Sequence, residues 1–178
     1  AVNPFFVIVL TFPIMWLFEG LTKKGKGVST PKKIAIGMGI AACAYLFMTI
    51  FCSRMGYPSA TDFRGLDAAS AAAMKAAPWV LIVYYFFMTV AELFISPLGL
   101  SFISKVAPKN LLGLCQGLWL GATAVGNGFL WIGPLLYNKF PIWKAWIVFM
   151  SVCLLSMIVM LCMVKWLERV TGEKQQQQ

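Results

Sequence analysis

The stretch VAELFISPLGLS, residues 90–101, sets a single carboxylate, Glu92, one turn ahead of a Ser-Pro pair. It lies inside a run from Trp79 to Ser104 that holds no other charged residue. Such a run is long enough to cross the roughly 30 Å hydrocarbon layer, which needs about 20 apolar residues. A charge at that depth is costly and calls for a partner or a task. Four further runs have comparable length: residues 3–21, 33–52, 111–137 and 142–166. The chain as a whole is 60% hydrophobic and 12% charged over 178 residues, with mean hydropathy +0.79. A soluble domain has no use for that much apolar surface, and these runs lack the polar faces of buried soluble helices. The expected fold is all-α, a polytopic transmembrane bundle of five membrane-spanning helices over residues 1–168, with residues 169–178 a disordered tail.

The net charge of +9 follows topology. Of the fifteen Lys and Arg residues, ten fall on one side: Lys23, Lys24, Lys26, Lys32, Lys33, Lys105, Lys109, Lys165, Arg169 and Lys174. Arg54, Arg64, Lys75, Lys139 and Lys144 fall on the other, partly offset by Asp62 and Asp67. This bias predicts a cytoplasmic carboxyl terminus and an external 53–77 connection. It gives no support to nucleic-acid binding, and leaves the bilayer as the partner of the basic residues. The chain opens inside an apolar run without an initiator methionine, which gives the expectation of a carboxy-terminal piece of a longer transporter. The tail GEKQQQQ (172–178) is low in complexity.

Enzymatic chemistry finds little to work with. Histidine is absent, and the five cysteines (Cys43, Cys52, Cys115, Cys153 and Cys162) show no CxxC spacing. Neither a metal site nor a cofactor is expected. There is no phosphate-binding glycine loop, serine-based triad or carboxylate pair. Ser29 or Thr30 followed by Pro31 suits the start of the second span.

At about 100° per residue, Tyr85, Thr89, Glu92, Ser96 and Gly99 fall within about 80° of one another, giving the third span a polar face. Pro97 cannot donate to the carbonyl of Leu93, so the helix is weakened one turn past the carboxylate. A weakened helix beside a midplane charge is what a moving, site-lining element requires. In the fourth span Gln116, Thr123 and Asn127 share a stripe with Trp119 at its edge, a plausible ligand wall. Beside it Gly113, Gly117 and Gly121 form a doubled GxxxG, expected to pack against a neighbouring helix. Pro13 marks an irregular first span.

The motif AELFISPLGLSFISKVAPKNLLGLCQGLWLGATAVGN (91–127) resembles the tenth and eleventh helices of the proton-coupled oligopeptide transporters of the major facilitator superfamily. Asn3-Pro4-Phe5-Phe6 with Pro13 and Trp16 is similar to their eighth helix, and STPKKIAIGMG (29–39) to the start of their ninth. The resemblance implies helices eight to twelve of a carboxy-terminal bundle, multi-pass in a prokaryotic inner membrane. It implies proton symport of di- and tripeptides. On the matching positions, Glu92 and Asn3 would contact the peptide amino terminus, and Trp119 and Thr123 would border the side-chain pockets. Ser96 and Pro97 would form a gating bend. The proton-coupling residues and the cations for the peptide carboxylate would lie in the amino-terminal half, the implied partner of this piece. Two other readings stay open: a related transporter of nitrate or a modified amino acid, and a structural subunit in which Glu92 is a buried tether.

Overall fold

The computed structural model describes residues 2–23, 28–75 and 77–171, with side chains at all of these except 2–4, 17–19, 21–23 and 170–171. Every described element is helical. In order they are α1 (Val2–Lys23), α2 (Thr30–Arg54), α3 (Ala60–Arg64), α4 (Ala68–Ala73), α5 (Pro78–Val106), α6 (Leu112–Gly128), α7 (Ile132–Lys139) and α8 (Ile142–Thr171). The segment expected as one fourth span is divided between α6 and α7 by a 3₁₀ turn at Phe129–Trp131. Gly126 and Gly128 precede the break, and Pro134 withholds the donor that Leu130 would receive in a continuous α-helix. At the carboxyl end α8 continues to Thr171, beyond residue 168, where the bundle was expected to give way to a tail. Residues 172–178 lie outside the described residues.

Among the described residues, α2, α5 and α8 are long and apolar enough to cross a membrane. In α1 the apolar stretch is Phe5–Trp16. The result is an all-α transmembrane bundle. Helix α2 sits between α5 and α8, and α5 in turn borders α1 and α6. The α2–α8 pair is antiparallel. Ser29 and Lys32 meet Glu168, Gly39 meets the Met157 sulfur, and Tyr45 stacks on Trp146 and Phe149. The α2–α5 pair runs the same way, from Gly37 against Phe94 and Ile95 to Phe51 edge-on to Trp79.

Close approach explains the central place of α2. Its buried face includes Ala35, Gly37, Ala41, Ala42 and Ala44, small residues that let neighbouring backbones come near. A Cβ on Gly37 would stand 2.7 Å from the Phe94 Cβ and 2.9 Å from the Ile95 Cγ1. By contrast, a Cβ on Gly113, Gly117 or Gly121 would meet nothing within 4 Å. The expected glycine ridge therefore meets no other helix among the described residues. Helix α6 meets α5 through Trp119 and Gln116 instead, and this turns the glycines aside.

The expected start of α2 is realised with a twist. Ser29 is the N-cap and Pro31 stands in the first turn, but the Ser29 side chain does not cap the helix. Its hydroxyl donates to Glu168 Oε1 at 2.5 Å. Lys32 Nζ lies 2.7 Å from the same oxygen, so the buried Glu168 is clamped to the start of α2. The 53–77 connection is organised by caps of its own. Ser59 accepts from the Asp62 amide, and Asp67 accepts from the Ser70 amide. Hydrogen bonds from Ser70, through its side chain and then its backbone, hold the Asp67 carboxyl below the ordinary carboxylate range. Thr61 donates to the Asn138 carbonyl at 2.7 Å, tying the connection to α7.

The Gly37 contact is directly testable. Gly37→Leu is expected to cost about 1–3 kcal/mol through overpacking, and Gly37→Ala less. Both should appear as a lower Tm of the detergent-solubilised protein. An unchanged Tm for Gly37→Leu would remove the close α2–α5 approach.

Candidate functional site

Glu92 is the middle residue of α5. Its cavity, about 350 Å³, is lined by Tyr84, Tyr85, Met88, Ala91, Glu92, Ile95 and Ser96 of α5 and by Ala41 of α2. That volume lies within the range of small-molecule sites, roughly 300–1,000 Å³. Ala41 and Ala91 are both buried and supply small side chains beneath the carboxylate. Larger residues at either position would fill the space. The wall is apolar and aromatic, with few polar groups besides Glu92, which suits a ligand that carries one cation on an otherwise variable body.

The polar face expected on α5 is divided by the structure. Tyr85, Glu92 and Ser96 share the cavity. Thr89 does not line it: the residue is fully buried, and its hydroxyl donates to the Tyr85 carbonyl one turn back at 2.8 Å. Gly99 is covered by the indole of Trp119, into which an added Cβ would collide. Pro97 lies within α5, which stays helical from Pro78 to Val106. It adjoins the cavity residue Ser96 without lining the cavity itself.

The expected ligand wall on α6 is not assembled with Glu92. Trp119 lines a different cavity, about 520 Å³, together with Phe102 of α5 and Met160 and Met163 of α8. Thr123 is exposed, and its hydroxyl donates to the Trp119 carbonyl at 3.3 Å. Gln116 donates to the Ser104 hydroxyl at 3.1 Å and so links α6 to α5. Asn3 belongs to α1, and its side chain lies outside the described residues. Helix α1 reaches α5 through Phe6, edge-on to Phe86 with centroids 5.9 Å apart. No group of three or more His, Cys, Asp or Glu residues that could hold a metal is found among the described residues.

Tyr84, Met88 and Ala41 belong to the site but were not singled out in the sequence. Met88 stands one turn before Glu92, so its place was open to the same periodicity. Ala41 comes from another helix, and only the packing of α2 on α5 brings it there.

The profile of the POT family matches residues 1–160. The chain belongs to the POT family. It is 30% identical to dipeptide and tripeptide permease B of Shigella dysenteriae serotype 1 and of Salmonella typhimurium, each alignment covering 96% of this chain and 34% of the relative. The same permease of Xenorhabdus bovienii is 29% identical over 98% of this chain and 35% of its own length. The chain thus spans about a third of the length of these curated relatives. Membership agrees with a multi-pass membrane protein, as the helices indicate.

The Gly99–Trp119 contact in this POT-family chain can be checked by a double-mutant cycle. Gly99→Ala is expected to cost about 1–3 kcal/mol by forcing the indole away. Trp119→Ala should suppress most of that loss, because it removes the group the new Cβ strikes. Additive Tm losses for the pair would show that the two residues do not touch.

Proposed function

We propose that this chain is the carboxy-terminal part of a proton-coupled importer of di- and tripeptides, and that Glu92 binds the ammonium group of the peptide. The observation that carries the reading is a carboxylate at the middle of an apolar helix, opening into a cavity floored by alanines. The permease names of its relatives support peptides as the substrate class. A peptide is a zwitterion, so a carboxylate here and cations from an amino-terminal half would hold its two ends by charge-assisted hydrogen bonds. Tyr84, Tyr85 and Met88 would face the variable part of the substrate. Asn3 would assist at the amino end, and Trp119 and Thr123 would approach the substrate when the second half is in place. Bending of α5 at Ser96-Pro97 would gate the path, and rocking of the two halves about the site would give alternating access. The glycines Gly113, Gly117 and Gly121 would pack against that other half.

Sidedness follows from the lysine distribution, with the carboxyl terminus in the cytoplasm of a prokaryotic cell and the protein in its inner membrane. In a full-length background without native cysteines, Ala69→Cys should react with an impermeant maleimide on intact cells. Asn110→Cys should react only after permeabilisation. The reverse pattern would invert the topology.

The ligand role of Glu92 has its own test. Glu92→Gln preserves shape and removes charge, so affinity for a free dipeptide should fall by about 1.5–3 kcal/mol, roughly ten- to a hundred-fold. An N-acetylated dipeptide lacks the ammonium and should bind weakly to parent and variant alike. Equal losses for both peptides, accompanied by a lower Tm, would instead make Glu92 a structural tether.

A further inference from the structure

Another concave surface lies at the far end of the bundle from the 53–77 connection, where α2 begins and α8 ends. It is a groove of about 590 Å³ between these helices. Buried Ala35 and Val164 form its floor, while Ile36, Met157 and Leu161 form its sides. Ile36 and Leu161 are about half exposed, on helices whose apolar length suits a bilayer. Lys32, Lys165 and Glu168 stand at its end.

The charges at that end do not cancel. Glu168 is engaged by Ser29 and Lys32, yet the Lys32 side chain remains 49% exposed. An ammonium has three donors, so the pair with Glu168 leaves capacity for an anion. Lys165 is exposed on the same rim, one turn before Arg169, which is also exposed. An apolar channel running along a membrane-spanning pair and ending in excess positive charge is complementary to an anion with a hydrocarbon tail. A free anion would have no use for the channel, and a neutral lipid none for the lysines.

We propose that this groove binds one anionic phospholipid, its phosphate between Lys32 and Lys165 and an acyl chain along Ile36 and Leu161. The lipid would cover the joint between α2 and α8 beside the Glu168 clamp, and so stabilise the bundle independently of any transported substrate. Long lysine stems would lie along the apolar wall with their ammonium groups at the headgroup level.

The test uses the purified full-length protein, delipidated in detergent, with phosphatidylglycerol and phosphatidylcholine of identical chains. Native mass spectrometry should show tighter binding of phosphatidylglycerol, and that lipid alone should raise the Tm. Lys165→Gln should weaken phosphatidylglycerol binding about fivefold, while Lys165→Arg retains it. Leu161→Trp, which fills the channel, should weaken it as well, whereas Lys144→Gln at the opposite end of α8 should not. Gel filtration and circular dichroism establish that each variant is folded. Equal binding of the two lipids, or unchanged phosphatidylglycerol binding in Lys165→Gln, overturns the proposal. Displacement of the lipid by inorganic phosphate, with Leu161→Trp without effect, would make this a site for a free anion and overturn it too.

Discussion

Helices that are apolar on every side gain little from one another by leaving lipid, since lipid is as apolar as they are. Association then rests on close approach, and in this bundle α2 supplies it. Gly37 admits the side chains of α5 to distances that any Cβ would forbid, and the alanines around it extend the same shallow surface. The consequence reaches the cavity. Because α2 presents Ala41 beneath the middle of α5, space remains under Glu92. The packing that holds the helices together also leaves open space beside the carboxylate.

Glu92 lines a cavity, the setting in which a carboxylate on an apolar helix is tolerated. Its neighbours from Tyr85 to Ser96 divide the labour along about three turns of helix. Thr89 satisfies itself on its own backbone and is sealed inside, whereas Tyr85 and Ser96 remain at the cavity wall. Residues of the same expected stripe thus part ways, Thr89 into the packing and Tyr85 and Ser96 onto the cavity wall.

Three of the spans were legible because membrane crossing imposes a length, and the apolar runs Lys33–Cys52, Trp79–Ser104 and Ile142–Trp166 satisfy it. Glu92, Tyr85 and Ser96 could be grouped because helical periodicity alone decides which side chains share a face. Thr89 could not be separated from them, since a hydroxyl on a polar face has the option of bonding to its own helix. Which helix the glycines of α6 would meet was hidden for a related reason. A GxxxG series records that a backbone could approach, not that one does, and here the larger Trp119 and Gln116 determine the contact face. The break at Phe129–Trp131 was hidden because glycine and proline occur within several helices of this chain, and Pro97 and Pro13 leave theirs unbroken. The pairing of Ser29 with Glu168 joins residues 139 positions apart, beyond any local pattern.

The α2–α8 pair is fastened at both ends, by the Glu168 clamp where α2 begins and by the stack of Tyr45 with Trp146 and Phe149 farther along. Two fixings on antiparallel rods suppress both sliding and hinging, so the pair acts mechanically as a strut. Helix α5 carries Pro97 in its second half and reaches α6 through a short turn at Pro108. Its missing backbone hydrogen bond lies just past Glu92, and the part that bears Val80, Thr89 and Phe94 is packed against the strut. Deflection of α5 would therefore swing its Ser104 end and carry α6 with it through the Gln116 hydrogen bond. The floor beneath the carboxylate would stay in place.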